Sequence, residues 1–157
     1  MQRDNYSNMK FFQALETQNY APATVLSGPT IDLRGYEACT IVFTIGANAS
    51  VSTASYIDLI LQHGLLESAA GSVSAWSDVP HSQMIHSVYD RNSITSTGLV
   101  QRIGDSSLGS AVYIVGYKGK ARFLRVQVSA TAAEESGLIG CVAILGEPAN
   151  WPVNEPA

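Results

Sequence analysis

The sequence predicts an all-β chain folded as one antiparallel β-sandwich, jelly-roll-like in outline, with a long loop insertion and extended terminal arms. Three observations predict it. Apolar residues recur with a period of two rather than 3.6, the spacing of strands that bury one face. Turn-forming residues interrupt the periodic runs at short intervals, as in a sandwich or barrel of many short strands. The length, 157 residues, suits one hydrophobic core and is tight for two, so 1–157 reads as a single domain.

Five segments carry the period. Between Cys39 and Ile45, the residues Cys39, Ile41, Phe43 and Ile45 share one face, and Thr40, Val42 and Thr44 take the other. Between Tyr56 and His63, Ile57, Leu59 and Leu61 oppose Asp58 and Gln62. The run from Ala111 to Tyr117 is rich in Val, Ile and Tyr, which fit a pleated surface. From Arg122 to Val128, Leu124, Val126 and Val128 alternate with Phe123, Arg125 and Gln127. The run from Gly137 to Leu145 is apolar on both sides and reads as a central strand covered on both faces. The predicted core includes Ile41, Phe43, Leu59, Leu61, Leu124, Val126, Val142 and Ile144. Shorter strands are expected at Lys10 to Leu15, at Thr30 to Leu33 and near Val73 to Val79.

Between these runs, Ser27-Gly28-Pro29 and Gly46-Ala47-Asn48 mark turns. Tyr117-Lys118-Gly119-Lys120 reads as a hairpin in which Gly119 takes a positive φ. The stretch 81–110 is less regular and reads as long loops around a short strand or one helical turn. Residues 1–29 and 147–157 lie outside the best strand pattern and are read as arms, the second holding Pro148, Pro152 and Pro156. Both arms carry aromatic residues, among them Phe11, Phe12 and Trp151. Aromatics drive burial, so the arms are expected to dock on their own sandwich or on a neighbouring subunit.

Composition narrows the function classes. Charged residues make up 14% of the chain, against about 25% in average soluble proteins. A weakly charged surface suits a protein packed against other subunits. The net charge of −4 opposes nucleic-acid binding, which needs a basic field for phosphates. The longest apolar run, Leu138 to Leu145, is far short of the ~20 residues of a spanning helix, and no signal peptide is read at the start. No membrane association is expected. Cys39 and Cys141 sit within apolar runs and read as buried free thiols.

No catalytic, cofactor or metal site is expected. His81 and His86 are five apart, matching neither the i,i+4 spacing of a helical metal pair nor the i,i+2 spacing of one strand face. His63 closes a strand, where solvent or a capping contact is its ordinary fate. A nucleophile elbow G-x-S-x-G and a glycine-rich phosphate loop are both absent from the sequence. The candidate interface residues are Lys118, Lys120, Arg122 and Arg125, together with Trp151, Phe11 and Phe12. The four basic residues fall within eight positions, as a solvated strand tip that discourages edge aggregation would have them. The functional alternative is a contact for an acidic patch on a neighbouring subunit. Trp76 reads as a core-edge tryptophan or, alternatively, a sugar-stacking platform.

Several segments, in order, resemble small virion structural proteins of tailed bacteriophages. They begin with Lys10-Phe11-Phe12-Gln13-Ala14-Leu15, then Asp32, Gly35, Tyr36 and Glu37 ahead of the apolar run Thr40-Ile41-Val42-Phe43. Leu61-Gln62-His63 and Trp76-Ser77-Asp78-Val79 follow, then Val115 to Val126 and Gly140 to Pro148, the two most specific stretches. The stretch 81–110 departs from the pattern. The resemblance implies a non-enzymatic β-sandwich that decorates or cements a capsid by binding the major capsid protein lattice. It would act at the capsid surface of the virion after assembly in the host cytoplasm. A homo-oligomer is expected, a trimer in preference to a dimer, with no cofactor. A tail- or fibre-associated binding module, glycan-recognising or not, is the alternative.

Overall fold

A computed structural model describes residues 9–21, 23–46, 51–52, 54–64, 73, 75–86, 97–105, 108, 110–131 and 137–148. In chain order the strands are β1 (Lys10–Tyr20), β2 (Val25–Ser27), β3 (Ile31–Asp32), β4 (Tyr36–Ile45), β5 (Ile57–Gly64), β6 (Trp76–Asp78), β7 (Met84–His86), β8 (Leu99–Ile103), β9 (Val112–Tyr117), β10 (Phe123–Ala130) and β11 (Gly137–Pro148). A 3-10 turn, His81–Gln83, leads into β7. The strands form two antiparallel sheets that pack face to face. The first runs β1-β11-β4-β9-β7. In the second, β10 and β5 form the centre, β2 and β3 share one flank against β10, and β6 and β8 share the other against β5.

Inward faces meet between the sheets. Cys39, Ile41, Phe43 and Ile45 of β4 face Ile57, Leu59 and Leu61 of β5 and Leu124, Val126 and Val128 of β10 in one buried cluster. Burying each large aliphatic or aromatic side chain there contributes about 1.5–3 kcal/mol. The alternation read from the sequence holds in these three strands. It fails in β11. Its inward residues are Ile139, Cys141, Ala143 and Leu145, while Leu138 and Val142 are exposed and Ile144 is half-buried. Val142 and Ile144 are therefore outer-face residues rather than core, and β11 is covered on one face only among the described residues. A strand apolar on both sides gives no internal signal of which side faces in, and a one-residue shift moves the whole set.

The β9–β10 connection is not a hairpin. β9 pairs with β4 and β7 in the first sheet, and β10 pairs with β5, β2 and β3 in the second. Residues 118–122 must therefore span the ~10 Å between packed sheets, which a tight two-residue turn cannot do. Gly119 does not have a positive φ; Gly35 and Gly98 do. At Gly35 (φ 86°) the turn is closed by the Tyr36 N–H donating to the Leu33 carbonyl at 3.0 Å and the Arg34 N–H donating to Asp32 Oδ1 at 2.9 Å. Gly119 is needed for space. A Cβ there would lie 2.3 Å from the Tyr117 hydroxyl and 2.5 Å from Gln83 Oε1. The connection wraps the inward-pointing Tyr117, whose hydroxyl accepts the Ala121 N–H at 3.1 Å.

Of the segment expected as an N-terminal arm, 1–29, β1 and β2 are sheet strands. β1 pairs along β11 from Lys10 to Tyr20, with register shifts between Gln13 and Leu15 and between Leu15 and Gln18. Phe12 packs against the core, and Phe11 stands on the outer face. Of the C-terminal arm 147–157, Glu147 and Pro148 end β11; the rest, Trp151 included, lies outside the described residues. The irregular stretch 81–110 contributes the 3-10 turn, β7 and β8, and 87–96 lies outside the described residues.

Two expectations follow for stability. Leu124→Asp should abolish the cooperative melt, because an unpaired charge would sit in the inter-sheet core, whereas Val142→Ser should change stability by less than about 1 kcal/mol. Equal damage from both in thermal denaturation would contradict the β11 facing. Gly119→Ala should cost about 1–3 kcal/mol through overpacking against Tyr117. With an ordinary φ and free space, the same change would instead stabilise by roughly 0.4–1 kcal/mol, so the sign of the shift in denaturant midpoint tests the cause.

Candidate interaction surface

The fold takes Arg125 away from the other three basic residues that the sequence groups with it. Arg125 stands on the outer face of the second sheet, opposite Gln62 of β5. Its Nε donates to Gln62 Oε1 at 2.8 Å, and Gln62 Nε2 donates to Asp78 Oδ1 at 2.8 Å. The Arg125 guanidinium lies 4.5 Å from the centre of the Trp76 ring, so that ring face is occupied by an intramolecular cation. Burial lowers the pKa of Arg125. Beside this network, Arg102 makes a two-pronged pair with Asp58 at 2.7 and 2.8 Å and stacks on Tyr56 at 3.7 Å. The outer face of the second sheet thus satisfies its own charges.

Lys118, Lys120 and Arg122 lie in the β9–β10 connection. Arg122 Nε and Nη2 donate to the two carboxylate oxygens of Asp32 at 2.9 and 2.8 Å. That pairing, helped by the Arg34 N–H and the nearby Arg122 and Arg34 charges, holds the Asp32 carboxyl below its ordinary range against the opposing effect of burial. Lys118 and Lys120 are exposed. Lys120 lines a groove of about 410 Å³ at this end of the sandwich, together with Arg34, Arg122, Glu37, Tyr117 and Cys39; Lys118 is not part of its lining and follows Tyr117 in the chain. Four cations here stand against Asp32, Glu37 and Glu147, the last lying between Gly146 and Pro148, which pair with Ala38 and Tyr36, so this end carries an excess of one positive charge in a chain of net charge −4. Arg34 and the groove were not legible as a site, because the turn at Gly35 and the connection after Tyr117 meet only in three dimensions.

The outer face of the first sheet has opposite chemistry. Register places Phe11, Ile144, Thr40, Gly116 and Ile85 in one row across the five strands. Gln13, Val142, Val42 and Ile114 form the next row, and Gly140, Thr44 and Val112 the one after. The outward residues of β11, β4 and β9 include no charged side chain. Phe11, Ile85, Val112, Ile114, Leu138 and Val142 are between 38% and 59% exposed. Only Phe11 among them was foreseen as an interface residue. The doubly apolar run of β11 and the pair Val112 and Ile114 were the available signal.

Buried groups complete the chemistry. Cys39 and Cys141 are free and buried; burial pushes the Cys39 thiol up to about 12 and raises Cys141 as well. His63 is 8% exposed rather than solvated, on the inward side of β5. Its Nδ1 has no hydrogen-bond partner, and burial lowers its pKa, partly opposed by the Asp78 charge. Among the described residues no helix is long and apolar enough to cross a membrane.

The lowered pKa values of His63 and Asp32 predict two separate acid transitions. The unfolded chain binds a proton at His63 more readily than the native state, so stability should fall as pH drops below about 6.5 toward the lower native value. Asp32 contributes stability above about 3.8 that is lost as pH falls through its still lower native value. In melting temperature measured against pH, His63→Leu should flatten only the upper limb and Asp32→Asn only the lower. A His63→Leu profile identical to the parent between pH 6.5 and 5 would contradict the burial argument.

No family model matches the chain, and no curated protein matches it. Among solved structures, the crystal structure of the SPBc2 prophage-derived protein YomS is similar to it, with a TM-score of 0.38 and 11% sequence identity over 87% of this chain and 93% of that chain.

Proposed function

We propose that this chain is a non-enzymatic virion structural protein that decorates or cements a tailed-phage capsid by binding the major capsid protein lattice. The phage context rests on the ordered resemblance running from Lys10 to Pro148. The observation that carries the docking role is the basic end of the sandwich, where Arg34, Lys120 and Arg122 line a groove and the exposed Lys118 follows Tyr117 of its lining, in a molecule of net charge −4. An acidic segment of the capsid protein is the complementary partner. Several copies presented by a homo-oligomer would gain avidity on a repeating lattice without one tight site. The protein would work on the capsid surface, after assembly in the host cytoplasm, without a cofactor, a membrane or nucleic acid.

Mixing purified protein with empty capsids tests the reading. Occupancy near one copy per lattice position is expected, weakened by salt as exposed charges are screened. Lys118→Glu with Lys120→Glu, both exposed, should reduce affinity at least ~10-fold through like-charge repulsion, with the melting temperature unchanged. Full, salt-insensitive occupancy by that double variant would remove the basic end from the contact. A handful of copies per purified particle would instead place the protein at the tail.

A further inference from the structure

The outer face of the first sheet plays no part in the capsid reading. Its rows run across five strands, and the central strand β4 puts Val42 at the middle of the face. Leu138, Val142, Ile114 and Val112 project from it. Between Leu138 and Val112, over Gly140, a trough of about 280 Å³ is walled by Thr17 and Thr44.

We propose that this face is a self-association interface on which a second copy of the chain docks through the same face, giving a two-fold dimer. Chemistry selects the occupant. The face has no charge on β11, β4 and β9 with which to choose a charged partner, so its complement is another uncharged aliphatic surface. Within the chain's own surface, the outer face of the second sheet is a poor match, since burying Asp58, Arg102 and Arg125 under an aliphatic sheet would desolvate charges. The first sheet's outer face matches itself, and a surface that pairs with itself generates a two-fold axis rather than a ring. Edge pairing is disfavoured. β1 is broken by register shifts and β7 is three residues long, both devices that blunt edges.

The area is sufficient. Five strands about 4.8 Å apart, over roughly 20 Å of strand length, offer on the order of 500 Å² per copy, or about 1,000 Å² in a pair. That reaches the ~1,000 Å² expected of a specific interface. The trough over Gly140 gives a projecting aliphatic side chain of the opposing copy a place to seat. The inference rests on the oligomeric part of the proposed function and is independent of the capsid.

Sedimentation equilibrium on the full chain tests it. The parent protein is expected to dimerise. Val42→Lys and Ile114→Lys should each weaken dimerisation by at least ~100-fold, because the new charge would be buried without a partner, while leaving the circular dichroism spectrum unchanged. Val42→Cys should form an intermolecular disulfide under mild oxidation, since the central residue lies near the two-fold axis. Cys39 and Cys141 are buried and stay silent in that assay. If a lysine variant fails to fold, the Val42→Cys cross-link decides. A parent that stays monomeric up to its solubility limit overturns the inference. So does a trimer indifferent to both lysine changes, or a dimer in which Val42→Cys never cross-links. A monomer that saturates capsids defeats this interface alone; a dimer that ignores capsids defeats the capsid reading alone.

Discussion

Two sheets about 10 Å apart leave room for one interdigitated layer of side chains, and every strand of this chain answers to that layer. Ile41 and Phe43 from one side and Leu59, Leu61, Leu124 and Val126 from the other are completely buried within it. Because side chains alternate, burying one residue of a strand fixes the direction of all the others. The polar and apolar patterns on the two outer faces are therefore consequences of how the inner layer packs. Even the small inward residues of β11, Cys141 and Ala143, fit this logic: they lie beside the large Phe43 and Ile41 of the neighbouring strand in the register. Large beside small keeps the layer even.

The two outer faces solve the problem of exposure differently. On the second sheet, Asp58 with Arg102, and Arg125 with Gln62 and Asp78, meet their hydrogen-bonding needs across neighbouring strands. Exposed pairs of this kind contribute little stability, about 0–1 kcal/mol, but they leave a surface content in water. On the first sheet, valine, isoleucine, leucine and threonine stand exposed or half-buried among the described residues. The basic end lies beyond these faces, where the turn at Gly35 and the connection after Tyr117 converge. One molecule thus carries a hydrated face, an aliphatic face and a cationic end.

Strands with a polar side were legible in the sequence, because the polar side declares itself. β4 and β5 were read in the correct facing for that reason, with Thr40 and Thr44 or Asp58 and Gln62 as the markers. β11 has no such marker, so it was read as covered on both faces with Val142 and Ile144 in the core, whereas those two residues stand on its outer face. Pairing was harder to read than alternation. Tyr117-Lys118-Gly119-Lys120 has the composition of a hairpin, but a glycine chosen to clear a tyrosine ring looks in sequence like one chosen for its φ. The basic cluster lost Arg125 for a related reason. Closeness along a strand says nothing of which neighbour a guanidinium will find, and Arg122 and Arg125 found Asp32 and Gln62. Phe11 and Phe12 parted to opposite faces as adjacent strand residues must.

The pairing of β1 with β11 joins Lys10 to Leu145 and Tyr20 to Gly137. The first strand of the described chain therefore has no neighbour in its sheet until the last has been synthesised. At a translation rate of roughly 5–20 residues per second, β1 waits several seconds or more after it leaves the ribosome. Its edge and the aliphatic face of its sheet remain unfinished throughout that interval. The topology makes completion of the first sheet wait for β11, through contacts distant in sequence that are correspondingly slow to form. A protein that folds on such a schedule depends on its partially built sheets staying apart until β11 arrives.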